Sequence, residues 1–348
     1  MTFGIVMIGY GNIGQDFTRI FLGRTTELKE RYGIQAKLVA VLDSTGGAIC
    51  NKGLDPASLL RVKSSTGRLC DFPEYGCKGI SVEDTLRQAD AQFLMETSST
   101  DFRTGEPGIS NILMGIEQGL HIVTANKGAL ALAYPMLKRA AEERNVLMKF
   151  RGSAPTPLPY LDLEVYPALG YPLQRVEGVV NACANYILGR MHEGTDKARA
   201  TEEARQLKLL ERDPELDLLG WDTACKMVIL ANLLFDANVT LHDVKDVEGI
   251  QNITLSDVEN AKQNRQFLKH VGMLENMEGK IVLKSSIKSY DIDHPFSAMK
   301  KTEKAMMLQA SGAGTITMKS EHTGSLPSAQ AMFHDMIDIR RHERLRGV

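Results

Sequence analysis

Cysteine is scarce in this sequence, with five in 348 residues, at Cys50, Cys70, Cys77, Cys183 and Cys225. An odd, scattered set excludes a disulfide-stapled scaffold and shows no metal-ligand spacing, so no metal site is expected. Cys70 and Cys77 flank a segment containing Pro73 and Gly76 that could close as a loop, and a bridge between them stays open at this level. Sparse thiols suit a reducing, cytoplasmic setting. Long apolar runs are also missing. The best candidate, Met227 to Phe235, carries Asn232 and falls far short of the ~20 residues that cross a bilayer, so no membrane partner is expected. The opening Met-Thr-Phe-Gly has no basic region of the kind that starts a secretory leader. Charge of one sign is lacking too. A formal net charge of −2 argues against a general nucleic-acid binder. Neither internal repeats nor low-complexity segments occur. What remains is an ordinary globular composition, 43% hydrophobic and 24% charged. The length suits roughly two domains of about 100–200 residues each.

The first third alternates strand and helix signals. Apolar runs at Phe3 to Ile8, Leu38 to Leu42, Ala91 to Met95, His121 to Thr124 and Val146 to Phe150 read as buried strands. Helical patterns lie between them: one carrying Phe17, Ile20 and Phe21, then Ile109 to Gln118, then Tyr134 to Arg144. Short apolar strands interleaved with helices predict a doubly wound parallel sheet. The prolines of Ala154 to Pro159 fit neither a helix interior nor a central strand and mark a boundary. Beyond it, strands at Arg175 to Asn181, Lys280 to Lys284, Met306 to Ala310 and Gly314 to Met318 mix with helices. Those helices are read at about Glu202 to Leu210 with Thr201 as N-cap, Asp222 to Phe235, and Leu255 to His270. That part reads as α+β. A last helix, about Ser328 to Arg344, is expected to pack back on the first domain. The domains are therefore drawn as 1–150 plus a C-terminal helix at about 325–348, and 151–324.

Gly9-Tyr10-Gly11-Asn12-Ile13-Gly14 follows the first strand and opens a helix. The first glycine makes the tight turn, the second admits a pyrophosphate to the backbone, and the third brings helix and strand together. Phosphates then meet the amides of Asn12, Ile13 and their neighbours at a positive helix N-terminus. Asp43 ends the second strand and would accept hydrogen bonds from adenosine ribose hydroxyls. It lies further from Gly14 than the usual ~20 residues, which a polar insertion at Arg24 to Gly33 would explain. A carboxylate there repels a 2′-phosphate and leans toward NAD over NADP. Lys52, Arg61 or Lys63 could still fold back to meet a phosphate.

Two lysines stand in suggestive surroundings. Lys127 follows the strand ending at Thr124, at the carboxyl edge where ligands bind in such sheets, although a lone lysine there is more often a solvated surface residue. Lys226 lies four residues after Asp222, on the same helix face, behind the acidic stretch Glu211 to Asp217. A lysine beside carboxylates in a dry cleft can shuttle protons. Taken alone, the stretch reads more readily as an acidic loop with one surface ion pair.

Taken together, these segments resemble homoserine dehydrogenase. The matching stretches are Val123-Thr124-Ala125-Asn126-Lys127, the Glu-x-Asp-Pro run from Glu211 through Asp217, Gly220, Asp222 and Lys226, and the glycine motif. Glu96, Gly105-Glu106-Pro107, Asn185 to Leu188, Glu248 to Ile250, His294-Pro295 and Pro327 to Ala329 also match, in order over about residues 3 to 340. The resemblance implies a Rossmann-type α/β dinucleotide-binding domain plus an α+β catalytic and dimerisation domain. It implies hydride exchange between NAD or NADP and the C4 alcohol of homoserine, in the biosynthesis of threonine and methionine. Lys226, Lys127 and Asp222 would be catalytic, handling the hydroxyl proton and polarising the aldehyde. Glu211 and Asp217 would hold the substrate amino group or order the site. Thr97, Ser98 and Ala125 would line the nicotinamide end. A homodimer, with no appended regulatory domain or kinase, is expected.

The chain departs from the family pattern twice. Phe150 to Pro157 replaces a Val-Gly-Gly-x-x-Pro segment near the nicotinamide, and the glutamate that helps hold a monovalent cation is not evident. Asn181-Ala182-Cys183 replaces Asn-Gly-Thr beside the substrate, putting a thiol where a hydroxyl is usual and placing Asn181 and Cys183 among the substrate-binding candidates. Losing one hydroxyl donor in a buried site costs about 1–3 kcal/mol. Three readings follow in descending order: homoserine dehydrogenase, a related dehydrogenase for another small amino or hydroxy acid, and a nucleotide-binding regulatory protein without turnover.

Overall fold

The computed structural model describes residues 2–164, 170–210, 214–300, 302–321 and 324–346. It divides into two compact units, Met1–Thr156 with Ser325–Val348, and Pro157–Gly324. No helix among the described residues is long and apolar enough to cross a membrane.

The first unit carries a seven-stranded sheet of β1 (Thr2–Ile8), β2 (Gln35–Asp43), β3 (Gly46–Ile49), β4 (Gly76–Cys77), β5 (Phe93–Glu96), β6 (His121–Thr124) and β7 (Met148–Lys149), in the order β4-β3-β2-β1-β5-β6-β7. Strands β2, β1, β5, β6 and β7 run parallel. The expected parallel sheet is thus extended by an antiparallel annex, β3 and β4, which are too short and glycine-rich to show in the apolar pattern.

Side chains of β1 alternate between two cores. Ile5 and Met7 meet Phe17 and Phe21 of α1 (Asn12–Tyr32) and Met332, Phe333 and Met336 of the C-terminal helix Ser325–Arg346. Val6 and Ile8 lie in the opposite layer. That layer also holds Ile112 and Ile116 of α4 (Gly108–Glu117), and Ala129, Ala133 and Leu137 of α5 (Lys127–Glu143). Two further helices, α2 (Pro56–Thr66) and α3 (Val82–Gln88), complete the unit. Each fully buried Leu, Ile or Phe contributes about 1.5–3 kcal/mol. A sheet covered on both faces explains why its strands read as continuous apolar runs.

The polar stretch at residues 24–33 is helical: α1 continues to Tyr32, with Leu28 buried, and Gly33 closes it in a left-handed conformation (φ 62°). The extra distance to Asp43 is therefore helix. Further on, α5 begins at Lys127 rather than at Tyr134, because the Asn126 side chain accepts the Ala129 N–H and caps it.

The second unit is a six-stranded sheet in the order β13-β12-β8-β10-β11-β9. Its strands are β8 (Leu173–Val179), β9 (Asp246–Val247), β10 (Gln266–Met277), β11 (Lys280–Asp291), β12 (Lys304–Ala310) and β13 (Gly314–Ser320). All neighbours are antiparallel except β9 and β11. Its helices among the described residues include α6 (Ala182–His192), α7 (Lys197–Gln206), α8 (Pro214–Leu218), α9 (Trp221–Phe235) and α10 (Leu255–Gln263). Helix α9 lies directly on β10: a Cβ at Gly272 would sit 2.6 Å from Met227 Cγ.

Sequence periodicity misplaced two helices in this unit. The helix expected through His270 stops at Gln263, Arg265 turns the chain at φ 56°, and Gln266 onward is strand β10. Residues 268–274 of that strand are all buried, so the alternation that marks a half-exposed strand is absent. Helix α7 is capped by Asp196, which accepts the Arg199 N–H, while Thr201 sits inside it and donates to Lys197 O.

Candidate active site

In the first unit, the candidate residues lie at the carboxyl edge of the seven-stranded sheet. Gly9 has φ 89°, and a Cβ there would fall 2.4 Å from the Thr97 carbonyl carbon. A Cβ at Gly14 would lie 2.6 Å from Gly9 O. Only glycine fits either place. Gly11 is different, because a Cβ there meets nothing within 4 Å, so the backbone is open above the start of α1. Asn12 and Ile13 form the first turn of that helix, which has no acidic residue and no side-chain cap. An anion is the natural complement of such a terminus. Thr97 ties the turn to β5 by donating its hydroxyl to Gly9 O at 2.5 Å.

At the end of β2, Asp43 accepts the Thr45 N–H (2.8 Å) and hydroxyl (2.5 Å) on one oxygen, and Lys63 Nζ (2.5 Å) on the other. Burial pushes its carboxyl up, but the hydrogen bonds and the Lys63 charge outweigh that and hold it below the usual carboxylate range. Among the three basic residues able to fold back, Lys63 of α2 is the one at Asp43, while Arg61 pairs with Asp55 at 3.9 Å.

Beside β5 and β6, Ser98 donates its N–H and hydroxyl to the Glu96 carboxyl, and Ala125 donates its N–H to Glu96 O. Lys127 is the first residue of α5, with its ammonium 5.8 Å from the centre of the Phe102 ring. Arg151 is turned inward on the same unit. Its guanidinium meets Asp335 at 2.5 Å and Asp338 at 3.2 Å, and its N–H bonds the buried Asp335 as well.

The second unit holds, by itself, a buried polar cluster. Asn181 caps α6, accepting the Ala184 N–H, and donates its amide to Asp217 (2.8 Å) and Asp222 (3.0 Å). Lys226 donates to Asp222 at 2.5 Å and to Val180 O at 2.8 Å. Asp217, Asp222 and Lys226 are each at least 92% buried, with exposures of 3%, 2% and 8%. Asp222 thus meets both the Lys226 ammonium and the Asn181 amide, and the same amide reaches Asp217. Glu211 lies outside the described residues. Cys183 belongs to the apolar core with Ala184, Ile187, Leu188 and Met191.

One supporting group escaped the sequence reading. His270 on β10 approaches Thr223 Oγ1 (3.4 Å), Glu248 O (3.0 Å) and Ser285 Oγ (2.9 Å), and Ser285 donates to Gly220 O (3.1 Å). Gly220 opens α9 at φ 90°, and a Cβ there would lie 2.6 Å from Glu248 O. This network fixes the start of the helix that carries Asp222 and Lys226. Burial lowers the His270 pKa to about 4 and keeps the ring neutral.

A glycine turn at a helix N-terminus, an acid closing the second strand, and a separate unit with a buried lysine–carboxylate pair define a nicotinamide-dinucleotide oxidoreductase. The family model "Homoserine dehydrogenase" matches residues 161–337. A homoserine dehydrogenase of Methanocaldococcus jannaschii is 32% identical, over 96% of this chain and 98% of its own. An NAD(+)-dependent homoserine dehydrogenase of Pseudomonas canavaninivorans is 30% identical, over 97% of this chain and 96% of its own. The solved structure of a hyperthermophilic archaeal homoserine dehydrogenase mutant with NADPH is 23% identical and superposes with a TM-score of 0.82, covering 98% of each chain. The chain belongs to the homoserine dehydrogenase family.

Proposed function

We propose that the enzyme interconverts L-homoserine and L-aspartate 4-semialdehyde with NAD or NADP, and that Lys226 and Asp222 form its proton-handling centre. The observation that carries the assignment of residues is the buried cluster Asn181, Asp217, Asp222 and Lys226. The nicotinamide, when bound, supplies the hydride donor or acceptor. Lys226, held by Asp222 and Val180 O, stands ready to exchange the C4 hydroxyl proton and to polarise the aldehyde. Lys127 is assigned to the same work. Asp217, with Glu211, supplies the negative charge that a substrate ammonium requires. Gly9, Gly11, Asn12, Ile13 and Gly14 cradle the pyrophosphate, Asp43 the ribose, and Thr97, Ser98 and Ala125 the nicotinamide end. The open space over Gly11 suits a bound phosphate.

Asp43 supports NAD and the adjacent Lys63 supports tolerance of NADP. Packing of Cys183 in the core favours homoserine over another amino or hydroxy acid, because its thiol lies among apolar neighbours. We assign a homodimer through the six-stranded sheet on family grounds, which light scattering tests. A cytoplasmic site suits the free thiols of Cys70 and Cys77.

The test is reduction of NAD and NADP by L-homoserine, followed at 340 nm. Lys226→Ala should lower kcat about 10²- to 10⁴-fold while leaving NADH affinity within a factor of about two. A wild-type protein that binds NADH but does not turn over homoserine sinks the substrate assignment.

A further inference from the structure

Glu96 ends β5 fully buried, and among the described residues no charged side chain is one of its hydrogen-bond partners. One carboxyl oxygen receives the Ser98 N–H (3.1 Å), the Ser98 hydroxyl and the Asn111 amide (3.3 Å). The other lies 3.3 Å from Thr124 Oγ1. Thr124 Oγ1 also stands 3.3 Å from Glu96 O and accepts the Asn126 N–H at 3.0 Å. Asn126 in turn reaches Ser98 Oγ (3.3 Å) and Ser99 O (3.4 Å), and caps α5 immediately before Lys127. One carboxyl therefore joins the loop after β5, the end of β6, the N-terminus of α5 and the side of α4.

We propose that Glu96 is a positioning residue that sets Ser98, Asn126 and Lys127 relative to one another, and through them the nicotinamide end of the cofactor site. The inference rests on the functional reading above and deepens it. Hydrogen-bond accounting favours the protonated carboxyl. Thr124 has one hydroxyl hydrogen and two acceptors facing it, Glu96 O and the Glu96 carboxyl. A protonated Glu96 donates to Thr124 Oγ1, which is then free to donate to Glu96 O and still accept from Asn126. An ionised Glu96 competes for that hydrogen and puts an unpaired charge in a dry site. Burial acts the same way, pushing the carboxyl above its usual range against the pull of its hydrogen bonds. Its folded-state pKa is thus raised, so the ordered arrangement is complete at low pH and is lost as pH rises through that pKa.

The experiment measures NADH dissociation constants by fluorescence from about pH 6 to 10, with unfolding followed in parallel, for wild type, Glu96→Gln and Glu96→Leu. Glutamine reproduces the neutral acid: its carbonyl accepts from Ser98 and Asn111, and its amide donates to Thr124. We expect wild-type affinity to weaken with rising pH by about tenfold or more, and Glu96→Gln to match wild type at pH 6 within about twofold and stay level. Glu96→Leu, if folded, should bind at least about tenfold more weakly at every pH. The inference is overturned if Glu96→Gln follows the wild-type pH profile, or if folded Glu96→Leu binds NADH as well as wild type. Failure of the wild type to bind either NADH or NADPH overturns the functional reading and this inference together. That result is distinguishable because it appears without any substitution.

Discussion

The ammonium of Lys63 sits 2.5 Å from a carboxyl oxygen of Asp43, and neither side chain is more than 19% exposed. A carboxylate at the end of the second strand of such a sheet holds ribose hydroxyls and repels a 2′-phosphate. A lysine already bonded to it neutralises that repulsion and supplies a cation for the phosphate. The two tendencies oppose each other within one pair, and on the cofactor assignment proposed above that pair would set the choice between NAD and NADP.

Removal of the lysine should therefore sharpen the preference. In Lys63→Ala, Asp43 keeps its Thr45 hydrogen bonds and regains its full repulsion. We expect kcat/KM for NADP to fall roughly tenfold, a magnitude typical of one lost charge-assisted hydrogen bond, with NAD changed by less than about threefold. Steady-state kinetics with each cofactor at saturating homoserine decide it. Equal losses for both would remove Lys63 from the adenosine end.

The Arg151 guanidinium is held against Asp335, a fully buried carboxylate of the C-terminal helix. Burial pushes Asp335 up to about 7, while the Arg151 charge and hydrogen bonds pull it down. Lys149 helps at a distance and bonds Asp338 at 3.3 Å. Gly152, next in the chain, would collide with Met332 of that helix if it carried a Cβ, so the segment after β7 and the helix are fitted to one another. Arg151→Met should cost about 3–5 kcal/mol, because it strands a buried acid. The sign of its pH dependence follows. Without the guanidinium the folded-state pKa of Asp335 rises further, so the deficit is small in acid and widens as pH increases through neutrality. Urea unfolding at several pH values between about 5 and 8 checks both parts. A deficit that shrinks with pH would contradict the argument.

Much of this was legible in the sequence because its cause is local. Gly9, Gly11 and Gly14 announce a strand–turn–helix unit through their spacing, and Asp222 and Lys226 share a helix face at four residues' separation. Asp43 stands out as the acid closing an apolar strand. Lys63 was one of three lysines and arginines able to reach it, and only the placement of α2 separates them. Arg151 looked like a departure near the nicotinamide, and its partner Asp335 is too distant in sequence for spacing to suggest it. His270 and Ser285 were hidden for another reason. The first half of β10 reads as helix, since a strand buried on both faces loses its alternation, and with the strand misassigned no register existed to bring them together. Glu96 showed as a matching residue, but its burial and its four-way hydrogen bonding depend on how β5, β6, α4 and α5 assemble.

His270 carries the remaining prediction. Its ring is sealed behind α9, touching Thr223, Ser285 and Glu248 O, with Asp222 and Lys226 as the nearest charges acting on it in opposite senses. Burial lowers its pKa from 6.5 to about 4, so the neutral ring belongs to the folded state. The same holds for His192, buried against Phe267 and shifted to about 4 by burial and by the charges of Lys269 and Lys262. A depressed folded-state pKa gives stability that is present above about pH 6.5 and is lost as pH falls toward 4. Wild-type unfolding free energy should therefore decline over that interval, and His270→Asn, which cannot be protonated there, should decline less steeply. The substitution also loosens Ser285 and, through it, the Gly220 turn that starts α9. Homoserine oxidation should then drop by about tenfold in kcat at pH 8, with NADH affinity unchanged, because the proton-handling pair shifts while the dinucleotide unit is untouched. An unaltered kcat in a folded His270→Asn protein would mean that Asp222 and Lys226 hold their geometry without support from β10.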